Sequence, residues 1–485
     1  MNAPPDPASK RVFFVAAVAT AVGAPWLLGG ETVRTEFALL AGAILTCVFG
    51  WRVHRVEGPA GNSLQGWRLA RWPLAFGLLF LLLLGVQALN PSHRVILENR
   101  LWRLESLSPV AWAPKSLVAP FDAPPADSLP YRSTLRYLLI FGTTWIYALG
   151  LALGLTGPRE ARRFVAMLGL NAVLLAVVCI VHVVTNSQLT LWRYYGTFDF
   201  SHSPVFFYKN HNGAYLAGSL AVVLSLAFGA RTTRARVGWE VAALVVWVAT
   251  LLVDSRVATA CATLLAGTYF VADVIRRSGA QRWRRLGLAG VAFVAAVAVL
   301  FSLRDLPALK RFEEALNDPL DFIQGGEFRV MLREVGYEMW TDRPVWGWGG
   351  GSFLYLFNNY HERVPALAKL IYSQQPLLNR FYWPTANCDW VEFALEYGAV
   401  GLALLAATVF APVLSIVRRW RELDSRGFFL VGGLAALVLH GFFDYVLRNP
   451  AIMILIATFV VTGLNLLGGK DSHEPGSADA SNAGK

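Results

Sequence analysis

Charge is scarce in this chain, and acid is scarcer than base. Of its 485 residues 15% are Asp, Glu, Lys or Arg, with 32 acids against 43 Lys and Arg, where soluble globular domains carry about 25% charge. A water-covered surface is therefore excluded for most of the sequence. Only Cys47, Cys179, Cys261 and Cys388 offer a thiol. They lie far apart, three of them inside apolar runs, which argues against a disulfide framework or a thiolate metal site and makes them small core residues. Ionisable residues are also scarce within the apolar runs, where each costs about 2.5–3.5 kcal/mol or more and is kept for function. A proton- or ion-coupled carrier should show such residues, or paired broken helices in matching halves. Neither pattern is clear.

What is present is hydrocarbon. Hydrophobic residues make up 55% of the chain and the mean hydropathy is +0.46. Apolar runs of about 20 residues recur, long enough to cross ~30 Å of bilayer core. Twelve are expected, near 12–28, 37–51, 72–89, 135–155, 164–184, 214–229, 237–253, 257–275, 286–303, 390–417, 428–443 and 451–467. The fold class is an all-α polytopic membrane protein of about twelve transmembrane helices. Residues 304–389 form a large outer loop, a partly helical cap between helices 1–9 (12–303) and 10–12 (390–467). Segments 1–11 and 468–485 are short polar tails, the second Gly/Ser-rich and expected to be disordered. MNAPPDPASK lacks the small-residue site of a cleavable signal, so the first span is expected to be retained.

Orientation follows the arginines. Arg52, Arg55, Arg68 and Arg71 follow span two, Arg159, Arg162 and Arg163 span four, and Arg231, Arg234 and Arg236 span six. Arg276, Arg277, Arg282, Arg284 and Arg285 follow span eight, and Arg418, Arg419, Arg421 and Arg426 span ten. Basic short loops stay inside, so both termini are expected in the cytoplasm. The net charge of +11 is spread over these turns rather than gathered on one face, and no nucleic-acid partner is expected.

Polar residues collect instead at the outer ends, in the connections 90–132, 185–213 and 304–389. Nucleotide donors are not expected on that side. A group transfer there would draw on a donor activated within the membrane, such as a lipid pyrophosphate, and would need fixed cations. Arg256 in LLVDSRVATA, with Arg329 and Arg333 in FRVMLREVGYEMWTDRP, suits that need because guanidinium grips phosphate bidentately and stays charged. The plainer reading of Arg256 is a snorkelling helix end. His440 and Asp444, one turn apart in LHGFFDYVLRNPA, read either as an acid–base pair or as polar stabilisers of a span end. Lys209, Asn210, His211 and Asn212 read first as a helix cap. Gly347, Gly349, Gly350 and Gly351 could bring amides to a phosphate or simply turn the chain. The tryptophans Trp340, Trp346, Trp348, Trp383 and Trp390 could stack on sugars or sit at the interface.

The ordered series GTFDFSHSPVFFYKNHNGAYLAG, DSRVA, FRVMLREVGYEMWTDRPVWGWGGGSF, ANCDWVEFALEYGAVG and LHGFFDYVLRNPA resembles the O-antigen ligase and O-antigen polymerase superfamily, from about Arg193 to Pro450. The resemblance implies a metal-independent glycosyltransferase of the bacterial inner membrane, with no cofactor. It would move a glycan from undecaprenyl pyrophosphate to a periplasmic acceptor: lipid A-core in ligases, another lipid-linked repeat in polymerases. Membrane lipids are its surroundings. By the same resemblance Arg256 and Arg329, with Arg333, hold the donor pyrophosphate, while Arg193, Asn210, His211, Asp389 and Glu396 support the acceptor and the loop. The family's catalytic histidine precedes a Glu-x-Gly-x-x-Gly stretch, here Glu396, Gly398 and Gly401, and its position is held by Asn387, with Cys388 following. An amide cannot take a proton at useful pH, so the proton-accepting role is expected to move to His440, oriented by Asp444. No Asp-x-Asp pair stands on the outer side, unlike metal-dependent oligosaccharyltransferases. The alternative reading is a lipid or polysaccharide transporter, or a non-catalytic partner in envelope assembly.

Overall fold

The computed structural model describes residues 7–57, 63–98, 101–118, 133–185, 187, 203–276, 279, 283, 287, 327–374, 383–419, 421 and 425–467. Helices dominate because a backbone in hydrocarbon must satisfy its own hydrogen bonds. They are α1 (Pro7–Trp26), α2 (Val33–Glu57), α3 (Ser63–Leu89), α4 (Thr134–Gly154), α5 (Pro158–Val184), α6 (Lys209–Phe228), α7 (Thr233–Leu252) and α8 (Arg256–Arg276). After these come α9 (Glu327–Asp342), α10 (Ser352–Tyr360), α11 (Pro365–Gln374), α12 (Asp389–Arg418), α13 (Ser425–His440) and α14 (Pro450–Asn465). Eight of them, α2–α8 and α12, are long and apolar enough to cross a membrane, and α13 and α14 are shorter apolar helices. With α1 these account for eleven of the twelve expected runs by position. The ninth, 286–303, lies outside the described residues apart from Gly287, as do 304–326 and 375–382 of the expected cap and all of the C-terminal tail 468–485.

α6 is the buried axis of the bundle, enclosed from Asn210 to Ala227. Small residues let helices close elsewhere in the bundle: a Cβ on Gly150 of α4 would lie 2.6 Å from the Cys47 nitrogen of α2, so those backbones touch. The outward arginines Arg52, Arg55, Arg159, Arg276 and Arg418 sit near helix ends, and Arg231 in the turn between α6 and α7, all on one side of the bundle. The opposite ends carry the polar turns.

At that opposite end lies the one departure from an all-helical fold among the described residues. β1 (Pro91–Glu98) pairs antiparallel with β2 (Leu101–Ser106) and parallel with β3 (Ser116–Val118), in the order β2-β1-β3. Hydropathy alone does not show it, because it lies beyond the helix ends, where a sheet edge can meet water. Val95, Leu117, Leu332, Met339, Phe357 and Leu367 belong to a second hydrophobic core that joins this sheet to α9, α10 and α11.

α12 is broken at Gly398, whose φ of 65° is left-handed. Into this break fits the segment Pro344–Gly351. Ala399 N–H donates to Pro344 O at 2.8 Å, Trp348 N–H to Leu395 O at 2.9 Å and Gly349 N–H to Glu396 O at 2.7 Å. A Cβ on Gly398 would fall 2.2 Å from Val345 O, and one on Gly347 2.4 Å from the Glu396 carbonyl carbon. Both glycines are required by close approach. Gly351 N–H donates to the Glu396 carboxylate at 2.8 Å, so the amides of Trp348, Gly349 and Gly351 are spent on α12, which favours the turn reading of this glycine run over the phosphate cradle.

Candidate functional site

The tips of α6, α9 and α13 converge on Asp444. Its carboxylate Oδ2 accepts from the Tyr208 hydroxyl at 3.1 Å, from the Asn210 amide and from Arg329 Nη1 at 3.3 Å. Its Oδ1 accepts from the Tyr445 N–H at 2.8 Å. Arg329 also donates to Phe443 O at 3.4 Å and to the Tyr208 hydroxyl at 3.4 Å. Burial disfavours the Arg329 charge, but Asp444 and Tyr208 outweigh it and hold its pKa above the usual guanidinium value. The Arg329 side chain keeps 28% of its surface exposed while Asp444 keeps 1%. A fixed cation, backed by a buried carboxylate, thus reaches the surface of the cluster.

Arg333 lies one turn along α9 and donates through Nε to Arg329 O at 3.2 Å. Burial, together with the neighbouring Arg329 charge, lowers its pKa, although Cys388 opposes this. Arg256 opens α8 just beyond Asp254. Asp254 takes a left-handed φ of 61° and its carboxylate accepts from Lys209 Nζ at 2.6 Å. Lys209 is the first residue of α6, next to Asn210. A Cβ on Gly213 would lie 2.6 Å from Ser255 Cβ, so the Asp254–Ser255–Arg256 turn rests directly on α6.

His211 is not a cap: its two ring nitrogens face the Glu31 carboxylate and Tyr445 O, the latter at 2.8 Å. Asn449 adds a bond to Glu31 at 2.7 Å, and Arg136 Nη2 donates to Glu31 O at 2.8 Å. Burial would raise the Glu31 pKa, but His211, Asn449 and Arg136 together bring it below the usual carboxylate value. The Tyr208 and Tyr445 rings stack at 4.9 Å and 12°, tying this group to the Asp444 cluster.

Asn387 sits just before α12 with a left-handed φ of 52°, and its Oδ1 accepts from the Thr385 hydroxyl at 3.4 Å. Cys388 is buried, which pushes its thiol up to about 11. Asp389 N–H donates to Gly441 O at 2.8 Å and to Asp444 O at 3.2 Å, so the family-histidine segment and the end of α13 are in contact. His440 ends α13 and is buried, with Nε2 unbonded among the described residues. The expectation that Asp444 orients His440 from one helix face needs correction. The helix stops at His440, and the Asp444 carboxylate is committed to Tyr208, Asn210 and Arg329. Arg193 lies outside the described residues.

Asp389 and Glu396, expected to support the acceptor and the loop, meet Arg448, which the sequence reading passed over. Arg448 Nη1 lies 2.9 Å from Glu392 and 3.0 Å from Glu396, and its Nε 3.7 Å from Asp389. Its guanidinium also stands over Tyr137 and Phe393, at 5.1 and 5.0 Å. The carboxylates in turn bind backbone: Glu396 takes Gly351 N–H at 2.8 Å, Glu392 takes Ala386 N–H at 2.7 Å and Asp389 takes Leu447 N–H at 2.6 Å. Burial lowers the Arg448 pKa, yet the facing carboxylates raise it well above the usual value. Glu31 and Tyr208 were missed as well. For Glu31 and Arg448 the available signal was a charged residue in a short turn between apolar runs, in GGETVR and VLRNPA, where such a charge needs a partner; Tyr208 carried no such signal.

Fold and site together define a multi-pass membrane protein with a buried, charge-paired cluster at one end of its bundle. Residues 241–406 match the family model described as O-antigen ligase. The matched segment runs from α7 into α12 and contains Arg256, Arg329, Arg333, Asn387, Asp389 and Glu396, but neither His211 nor His440 and Asp444. This match supports a likeness of the segment 241–406 to the O-antigen ligase superfamily. No curated protein matches the sequence.

Proposed function

We propose that this protein transfers a glycan from an undecaprenyl-pyrophosphate donor to an acceptor on the periplasmic side of the bacterial inner membrane, lipid A-core or another glycan. The observation that carries the reading is Arg329: a cation held by Asp444 and Tyr208 yet partly exposed, within the matched segment. A second supporting fact is polarity along the bundle, since the arginine-rich helix ends lie opposite this cluster and basic ends stay in the cytoplasm. α13 and α14 each have 16 residues, about 24 Å at 1.5 Å per residue, short of ~30 Å of hydrocarbon. The turn carrying Asp444 and Arg448 would thus lie recessed, at the depth where a lipid-linked pyrophosphate emerges.

In this mechanism Arg256 and Arg329, with Arg333 beside them, neutralise the pyrophosphate as the glycosidic bond to it breaks. Their charge takes the part a divalent cation plays elsewhere. His440 takes the proton of the attacking acceptor hydroxyl through its unbonded Nε2, and Asn387 orients that hydroxyl. Asp444 serves Arg329. Ligase and polymerase chemistry share these steps and differ in the acceptor. Deleting the gene separates them: a ligase null accumulates lipid-linked polymer, and a polymerase null leaves a single capped unit. An unchanged surface glycan with no lipid-linked intermediate would overturn the reading and favour a transporter or assembly partner.

A further inference from the structure

The loop joining β2 to β3 displays apolar side chains to the outside. Residues 107–112 read Leu-Ser-Pro-Val-Ala-Trp, and Leu107, Val110 and Trp112 are 37%, 50% and 87% exposed. This display is braced from behind by Asn90. The Asn90 amide donates to the carbonyls of Val110, Ala113 and Pro114 at 3.1, 3.4 and 3.2 Å, and its own oxygen accepts from Val110 N–H at 2.8 Å. Leu107 N–H is fixed on Ser92 O at 2.8 Å. Such bracing keeps the apolar groups from folding inward.

Asn90 directly follows α3, whose last residue, Leu89, is 87% exposed. Back along α3, Val86, Leu82, Leu79 and Leu78 are exposed too, the stripe that a spanning helix turns to lipid. The loop continues this stripe past the helix end, where hydrocarbon gives way to headgroups. Between Glu105 and Lys115 it carries no charge.

We infer that the Leu107–Trp112 loop is a membrane-interface anchor, seated among the lipid headgroups beside α3. Tryptophan suits that depth, with an apolar body for the acyl boundary and one N–H for the wet side. The continuity with the α3 stripe favours the bilayer over a protein partner. An anchor here would steady more than the loop. β3 follows it, and Leu117 N–H of β3 donates to Trp348 O at 2.5 Å, in the segment wedged into the break of α12. The inference stands apart from the glycosyl-transfer reading.

The test uses the full chain in vesicles of phosphatidylethanolamine and phosphatidylglycerol. Trp112→Cys is labelled with an environment-sensitive fluorophore, and the signal of the unaltered chain is subtracted for its four cysteines. Leu82→Cys on the lipid stripe and Glu338→Cys on α9 serve as deep and aqueous references. Quenching of the Trp112→Cys label by about two-fold or more from lipids spin-labelled near the top of the acyl chain, and less from lipids labelled near its methyl end, is expected for interfacial depth. Quenching only by a water-soluble nickel chelate would overturn the inference, because the loop would then be in water. Protection from every quencher would overturn it too, since protein would be covering the loop. If Trp112→Cys does not fold, the exposed Ala111→Cys carries the same measurement.

Discussion

Arg329 and Arg448 both face carboxylates at the same end of the bundle, and they differ in what surrounds them. The Arg448 side chain is 6% exposed, and its three partners are sealed at 0 to 1%. Among the described residues Arg329 has one carboxylate partner, Asp444, and 28% of its side chain is open. A sealed pair must satisfy itself, because breaking a buried ion pair leaves an uncompensated charge. An open one can share its donors with an arriving anion. The Arg448 cluster also spends its carboxylates on the backbone of Gly351, Ala386 and Leu447, so it clamps the segments flanking the site. The Asp444 carboxylate spends one oxygen on the Tyr445 backbone and the other on the side chains of Tyr208, Asn210 and Arg329, which could hold a substrate.

The sharpest way to break this comparison is to remove the sealed cation. Arg448→Met should destabilise the protein by about 3–5 kcal/mol, because Asp389, Glu392 and Glu396 would face one another with no counter-charge. Melting in detergent should fall well below that of the unaltered chain and little folded protein should be recovered. A variant that melts normally would show that the cluster is not the clamp described above.

Next in size is the proposed proton acceptor. His440→Ala should lower turnover by roughly 10²–10⁴, the usual contribution of a general base, while Asn387→Ala should cost far less. Equal activity of His440→Ala and the unaltered protein would remove His440 from the mechanism. A gain on Asn387→His would show that the family geometry persists around the left-handed Asn387 backbone.

Arg329→Ala should lower turnover on the order of a hundred-fold, the cost of losing one preorganised donor to a developing charge, about 2.7–4 kcal/mol. Its melting should change much less than that of Arg448→Met. Arg329→Lys should fail as well, since lysine offers a point charge without the fork. Full complementation by the lysine variant at normal expression would sink the bidentate role.

The helical bundle was legible because apolar length is a direct physical demand of the bilayer, and spans two to eight and ten appear as α2–α8 and α12. Arg329, Asp389 and Glu396 were legible as polar residues on the motif series. Their partners were not. Arg448 pairs with Glu396 across 52 residues and Asn449 with Glu31 across 418, and no local period links such positions. The sheet escaped for another reason: its strands lie in a connection that a hydropathy scan treats as mere loop. The His440–Asp444 pairing failed because helical spacing was extended one turn beyond where α13 ends.

The smallest effect expected is at Lys209, which bonds Asp254 two residues before Arg256 and precedes Asn210, a partner of Asp444. Asp254 holds a left-handed backbone that costs a non-glycine residue about 1–2 kcal/mol, and its bond from Lys209 Nζ at 2.6 Å helps retain it. Arg256 depends on that turn for its direction. Lys209→Ala should therefore raise KM for the lipid-linked donor about five-fold, the effect of roughly 1 kcal/mol, with kcat less affected. Adding Asp254→Gly should restore KM, because glycine takes the left-handed conformation freely and leaves no carboxylate without its cation. A merely structural lysine would not be rescued this way. If the double variant is no better than Lys209→Ala alone, Lys209 acts on the donor directly or not at all, and the turn does not set the position of Arg256.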